Sequence, residues 1–234
     1  LKYKDAAYPL REGSYDVNSS LQKIVEEQFY QFCEWQESDK HINYRRFFTI
    51  NGMICLNIQH KKVFDAYHVF IKSLIERKII NGLRIDHIDG LYDPTQYLHR
   101  LREMVGEDTY VTVEKILENG EELPAYWPVQ GTTGYDFIAL VNQVLTTKGS
   151  GQKRTALYHH ITGGKISLEA ELHSKKKLIL NSYMQGELEN LLQLFEEAVN
   201  EKTSDNMKKT IAEFLTGCPV YKYYSSSLPL DEIE

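Results

Sequence analysis

Cysteine is scarce in this sequence, and its 3 cysteines, Cys33, Cys55 and Cys218, are odd in number and widely scattered. Such usage excludes a disulfide framework or a zinc spacing and fits a reducing compartment, so the thiols read as core or surface groups. No stretch approaches the roughly 20 apolar residues of a membrane helix, and no basic-then-apolar leader opens the chain. A soluble, cytoplasmic protein with no membrane partner is the expectation. Positive charge is also short. Lys and Arg number 27 against 33 Asp and Glu, for a net charge of −6, whereas a nucleic-acid partner requires a basic excess on one face. A neutral substrate fits better. The first residue is Leu1, with no initiator Met, which predicts an excised portion of a longer polypeptide.

What is present is an ordinary globular composition. Apolar residues make up 42% and charged residues 26% of 234 residues, far from the disordered corner and enough to bury a substantial core. Residues 1–18 read as an irregular entry. Ser19 and Gln22 stand at capping-box spacing, and Leu21, Ile24, Val25, Phe29, Phe32 and Trp35 continue one helical face, predicting a helix that ends near Trp35. Residues 41–48 have no clear period. Helical spacing returns over 61–78 at Val63, Phe64, Tyr67, Phe70, Ile71, Leu74 and Ile75. A break at Asn81-Gly82 precedes a short strand over 83–86, and Asp93-Pro94 caps and starts a further helix that Gly106 ends. Residues 109–113 are β-branched and aromatic, a buried strand by composition.

The alternation of helix and strand favours a parallel sheet with crossover helices, open or closed into a barrel. Residues 115–134 hold three glycines and two prolines and read as a long loop. A short helix is predicted over 137–145, a flexible joint at Gly149-Ser150-Gly151, and an almost wholly helical insertion over 152–216 with a stripe of Leu188, Leu191, Leu192, Phe195 and Val199. Residues 218–224 read as the next strand.

Two carboxylates stand where parallel-sheet enzymes put catalytic groups. Asp86 ends one strand and Glu114 the next, 28 positions on, so both belong at the C-terminal rim of neighbouring strands. Period-two alternation puts Gly82, Arg84 and Asp86 on one face, and Tyr110, Thr112 and Glu114 likewise. Adjacent strands lie about 4.8 Å apart, close to the roughly 5 to 5.5 Å between the carboxyl groups of retaining glycosidases. Such chemistry needs an ionised nucleophile and a protonated acid. Arg84 favours the ionised form of Asp86, and Glu114, with no arginine beside it in sequence, is the candidate acid; Lys115 follows it on the opposite face. Other readings stay open: Arg84 and Asp86 as a structural pair, and His87 and Asp89 as residues of a turn at Asp89-Gly90. The spacing does not fit a calcium loop, so no metal is expected.

Gly82-Leu83-Arg84-Ile85-Asp86-His87 resembles the nucleophile motif of the α-amylase family, and Val113-Glu114-Lys115-Ile116-Leu117 its acid/base motif. Ile42-Asn43-Tyr44-Arg45-Arg46-Phe47-Phe48, Asp86-His87-Ile88-Asp89-Gly90-Leu91, Trp127-Pro128-Val129, Gly131-Thr132-Thr133-Gly134-Tyr135-Asp136-Phe137 and Pro219-Val220-Tyr221 narrow the resemblance to the maltooligosyltrehalose synthase family, block after block over almost the whole chain. The resemblance implies an α/β fold, part of a (β/α)8 TIM-type barrel with about strands four to six and a helical insertion. It implies an enzyme that moves the reducing-end glucose of a maltooligosaccharide or α-1,4-glucan from an α-1,4 to an α,α-1,1 linkage, with no cofactor. Asp86 is then the nucleophile and Glu114 the acid/base. Arg84, His87, Asp89, Lys115, Tyr44, Arg45, Arg46, Trp127, Tyr135 and Asp136 are the expected sugar contacts.

The sequence departs from that pattern in two respects: a third acidic residue from a later strand and an early Asp-and-His segment are missing, the late acids Asp231, Glu232 and Glu234 lying in a tail. The expected organisation is a leading subdomain over 1–60, barrel units over 61–150, the helical insertion over 151–217 and a strand and tail over 218–234. Such a piece is expected to be inactive alone and to self-associate through unpaired strand edges. An α-glucan hydrolase, another transglucosylase and a non-catalytic sugar-binding module remain the alternatives.

Overall fold

A computed structural model of the protein describes residues 1–37, 40–117, 120–164 and 167–224. The tail with Asp231, Glu232 and Glu234 lies outside the described residues. In chain order the elements are β1 (Lys2–Tyr3), β2 (Ala6–Ala7), α1 (Leu21–Glu26), β3 (Arg46–Phe47), β4 (Ile50–Ile54), α2 (Lys61–Glu76) and β5 (Gly82–Ile85). A 3-10 turn (Ile88–Gly90) leads to α3 (Pro94–Val105), β6 (Tyr110–Val113), β7 (Gly131–Thr132), α4 (Tyr135–Val144), α5 (Gly151–Thr162), α6 (Leu168–Tyr183), α7 (Gln185–Val199) and α8 (Asp205–Gly217).

The strands that matter to the site form a three-stranded parallel sheet in the order β5-β6-β7. The fold is α/β. Alternation in β5 and β6 runs as period two requires: Val111 and Val113 are buried, while Gly82, Arg84 and Tyr110 are exposed. The buried face meets α2 and α3, where Phe64, Tyr97, Leu98, Leu101 and Val105 join Ile88, Val111, Val113 and Trp127 in one core. Each such aliphatic side chain contributes about 1.5–3 kcal/mol by leaving water.

Local signals fix α3 at both ends. Asp93 Oδ1 accepts the Gln96 N–H at 2.8 Å, Pro94 occupies the first turn, and Gly106 closes the helix at φ 79°. α2 ends two residues before the predicted Lys78, which instead takes a left-handed φ of 55°.

Three expectations are corrected. The helix predicted to reach Trp35 stops at Glu26, and its cap is Ser20, whose hydroxyl accepts the Lys23 N–H. Beyond it Phe32 leaves the helical stripe to pack on Tyr8 and Tyr30, with ring centroids 4.6 and 5.4 Å away, so contact with the entry segment overrides helix propensity. Within the loop read over 115–134 lies β7. It has two residues, too few to show a period, and is held by its ladder to β6, while Arg102 fixes the segment just before it. That buried guanidinium donates to the carbonyls of Gly106 at 2.9 Å, Thr109 at 2.7 Å and Pro128 at 2.8 Å. Residues 218–224, read as a strand, are irregular. Lys222 and Tyr224 bond instead to Asp89 and Leu91, on the segment that follows β5.

Candidate active site

Because Ile85 and Val113 are directly paired in register, the next residue on each strand is a carboxylate: Asp86 on one, Glu114 on the other. The ladder continues one bond further, from Glu114 N–H to the Ile85 carbonyl at 2.8 Å. Arg84, on the same strand face as Asp86, bridges the two acids. Its Nε lies 2.8 Å from Asp86 Oδ1 and a terminal nitrogen 3.6 Å from Glu114 Oε1. Asp86 and Arg84 are open to solvent, with side-chain exposures of 66% and 56%, whereas Glu114 is at 29%.

The chain reverses immediately after Asp86. His87 adopts a left-handed conformation, φ 51° and ψ 47°, and donates its N–H to Glu114 Oε2 at 2.8 Å. Gly90 leaves room for the His87 ring: a Cβ there would lie 2.1 Å from His87 Cδ2, so the imidazole would have to move. The imidazole is walled by Phe47 and Phe48, with ring centroids 5.0 and 4.8 Å away. Tyr135, at the start of α4, donates its hydroxyl to Glu114 Oε1 at 3.4 Å. Glu114 is therefore addressed from three sides, by Arg84, His87 and Tyr135.

Beneath this rim lies a buried ionic cluster. Lys115, 1% exposed, points away from Glu114 and sits 2.9 Å from Glu121 Oε1 and 3.5 Å from Asp89 Oδ2. Asp89 also accepts the Tyr224 hydroxyl, and Lys222 donates to the Asp89 and Leu91 carbonyls. Burial, followed by the hydrogen bond to Asp89, pushes the Tyr224 phenol well above its ordinary range. Burial, with repulsion from Arg45, holds the Lys222 ammonium below the usual lysine range.

The remaining sequence candidates are spread around this centre. Arg45 is exposed on the hairpin near Lys222. Tyr44 donates its hydroxyl to the Asn51 carbonyl at 3.0 Å, and Arg46 is buried among protein acceptors. Trp127 packs its indole edge-on against Tyr224 at 4.8 Å and donates to Thr95 Oγ1 at 2.9 Å. Asp136 accepts the Thr132 hydroxyl at 2.6 Å, and this bond, with the Phe137 N–H, holds its carboxyl below the usual range. Glu121, Lys222 and Tyr224 escaped the sequence reading. Only the Pro219-Val220-Tyr221 block hinted that this stretch mattered. No cluster of three or more His, Cys, Asp or Glu fit to hold a metal ion occurs among the described residues, and no helix there is long and apolar enough to cross a membrane.

No family model matches the chain. A Mycobacterium tuberculosis H37Rv protein, provisionally named maltooligosyl trehalose synthase, is 36% identical over 157 residues, 67% of this chain and 20% of that relative. The solved structure of maltooligosyltrehalose synthase from Arthrobacter ramosus superposes with a TM-score of 0.84 at 28% identity, over 95% of this chain and 28% of the other. A Sulfolobus tokodaii structure, described as a hypothetical maltooligosyl trehalose synthase, gives 0.79 at 29% identity over 98% and 30%. The chain thus spans about a fifth of the length of the curated relatives it matches.

Proposed function

The chain is homologous over most of its length to one segment of the maltooligosyltrehalose synthases, and from that premise we propose that it carries the nucleophile and the acid/base of a (1→4)-α-D-glucan 1-α-D-glucosylmutase. The observation that carries this reading is the pair of carboxylates at the ends of register-matched parallel strands, bridged by Arg84. One strand spacing, about 4.8 Å, matches the separation of about 5–5.5 Å for nucleophilic displacement with retention.

In the first step Asp86 attacks the anomeric carbon of the penultimate glucose while Glu114 protonates the departing O4 of the terminal glucose. The freed glucose stays in the site. Its anomeric hydroxyl then loses a proton to Glu114 and attacks the glycosyl-Asp86 ester, releasing the carboxylate and forming the α,α-1,1 bond. Arg84 keeps Asp86 anionic and oriented. His87 and Tyr135 hold Glu114 within reach of both oxygens, and Phe47 and Phe48 wall the His87 side, where water would otherwise compete as acceptor.

Arg45, Tyr44 and Asp136 belong to the rim around the sugar. Lys115, Asp89, Arg46 and Trp127 are withdrawn from solvent as well as engaged within the protein, so we assign them to supporting the rim rather than touching substrate. The strands β5, β6 and β7 are proposed as three successive strands of a (β/α)8 barrel, with the third acid of α-amylase-type sites supplied by sequence outside these 234 residues. The test is to incubate the complete protein with maltopentaose. A non-reducing pentasaccharide supports the mutase, whereas shorter maltooligosaccharides and glucose identify a hydrolase.

A further inference from the structure

Arg46 lies between two parts of the molecule that sequence keeps far apart. Its side chain is buried on the β3–β4 hairpin, and Nε lies 2.9 Å from Oε1 of Glu187, 141 positions later on α7. The same guanidinium donates to Glu187 Oε2 at 3.4 Å, to the Tyr183 carbonyl at 3.0 Å and to Asn51 Oδ1 at 2.5 Å. A two-nitrogen grip on one carboxylate fixes direction as well as distance.

Two further contacts seat α7 on the same segment. Asn190 donates to the Ile42 carbonyl at 2.7 Å. Gly186 presses so closely that a Cβ would fall 2.8 Å from Ile42 Cγ2, a contact that a larger residue could make only by pushing the two apart. The first turns of α7 are thereby docked on residues 42–46. Immediately after Arg46 the chain presents Phe47 and Phe48 to His87, whose N–H holds Glu114.

We propose that Glu187 and Arg46 are positioning residues: through them the helices of residues 151–217 set the place of the Phe47–Phe48 wall over His87, and so decide how often water rather than sugar captures the glycosyl intermediate. This rests on the mutase reading above. The route is contiguous, from Glu187 to Arg46, along one peptide to Phe47 and Phe48, and across ring contacts to His87 and Glu114. It gives the helical segment a part in the chemistry although none of its own side chains reaches Asp86 or Glu114 among the contacts described.

The experiment uses the complete protein with maltopentaose, scoring glucose released against non-reducing product formed. Glu187→Gln keeps the shape of the side chain and removes its charge. The expected result is a rise in the hydrolytic fraction of about threefold or more, the scale of one lost coupled contact, with faster amide exchange in residues 46–54. Arg46→Gln shifts the fraction in the same direction, and the double variant goes no further than the larger single effect, since both remove the Arg46–Glu187 contact. Should Glu187→Gln fail to fold, Asn190→Ala is used, with the same direction expected. A folded variant with wild-type partition and wild-type exchange in the hairpin overturns the inference. A wild-type protein that forms no non-reducing product refutes the mutase reading itself, and the exchange measurement then still shows whether the contact holds the hairpin.

Discussion

Phe48 and His87 face each other with ring centroids 4.8 Å apart, and both hold left-handed backbones, at φ 48° and 51°. Residues other than glycine take this conformation at a cost of about 1–3 kcal/mol and keep it only where their surroundings enforce it. Here the enforcement is visible on both sides. The His87 amide is spent on Glu114, and Phe48 opens the two-residue turn between the paired Phe47 and Ile50. Two strained residues meeting at the acid/base candidate are what a pre-set site requires, because neither has to move when substrate arrives.

Asp86→Asn in the complete protein removes turnover by about a thousandfold or more, the loss typical of a deleted nucleophile. The side chain is exposed and its pair with Arg84 lies at the surface, so stability changes by no more than about 1 kcal/mol. Steady-state rates and urea unfolding check both halves. A variant retaining a tenth of the wild-type rate contradicts the assignment.

Glu114→Gln separates substrates by their leaving groups. With maltooligosaccharides the departing oxygen needs a proton, and the rate falls about a hundredfold or more. With a glycosyl fluoride, whose fluoride departs without a proton, the first step is largely spared. Equal losses on both donors would exclude Glu114 as the acid.

Lys115→Met leaves Asp89 and Glu121, with side-chain exposures of only 10% and 14%, without their shared cation. Removing one partner from a buried ionic cluster costs about 3–5 kcal/mol. Denaturant unfolding of the protein gives the number, and a loss below about 1 kcal/mol means that the cluster is hydrated and weak.

The Glu196 carboxyl is held down to about 2, first by the Lys202 ammonium at 2.7 Å and then by the Thr203 N–H at 2.9 Å. An unfolded glutamate titrates near about 4.3, so the folded state binds this proton less readily. The stabilisation is therefore complete above roughly pH 5 and fades as the pH falls toward about 2. The stability gap between wild type and Glu196→Gln is expected to stay constant down to about pH 5 and to narrow below it. A gap unchanged between about pH 7 and pH 3 rules this linkage out.

The 234-residue chain by itself is expected to show less than about 1% of the complete protein's activity, because two carboxylates without their full surroundings lack preorganisation. Among the described residues, β5 and β7 of the three-stranded sheet are each paired on one side only. Open edges of this kind recruit further strands, so the chain is also expected to self-associate. Sedimentation across a concentration series and product analysis test the two statements separately.

The sequence determined the parts whose causes are local. Period-two alternation assigned the faces of residues 82–86 and 110–114, the cap at Asp93 and the stop at Gly106 fixed α3, and one strand end following another put Asp86 beside Glu114. These follow from backbone geometry and neighbouring residues alone. The tertiary structure decided what depended on distant partners. Two-residue β7 exists because β6 pairs with it and Arg102 fixes the segment just before it; α1 is short because Phe32 found aromatic neighbours in the entry segment; Lys115 is buried because Glu121 and Asp89 converge on it. Arg46 reads in sequence as a candidate sugar contact. Only the arrival of Glu187, 141 positions later, turns it inward, because a buried guanidinium is tolerated where a carboxylate and carbonyls accept its hydrogen bonds.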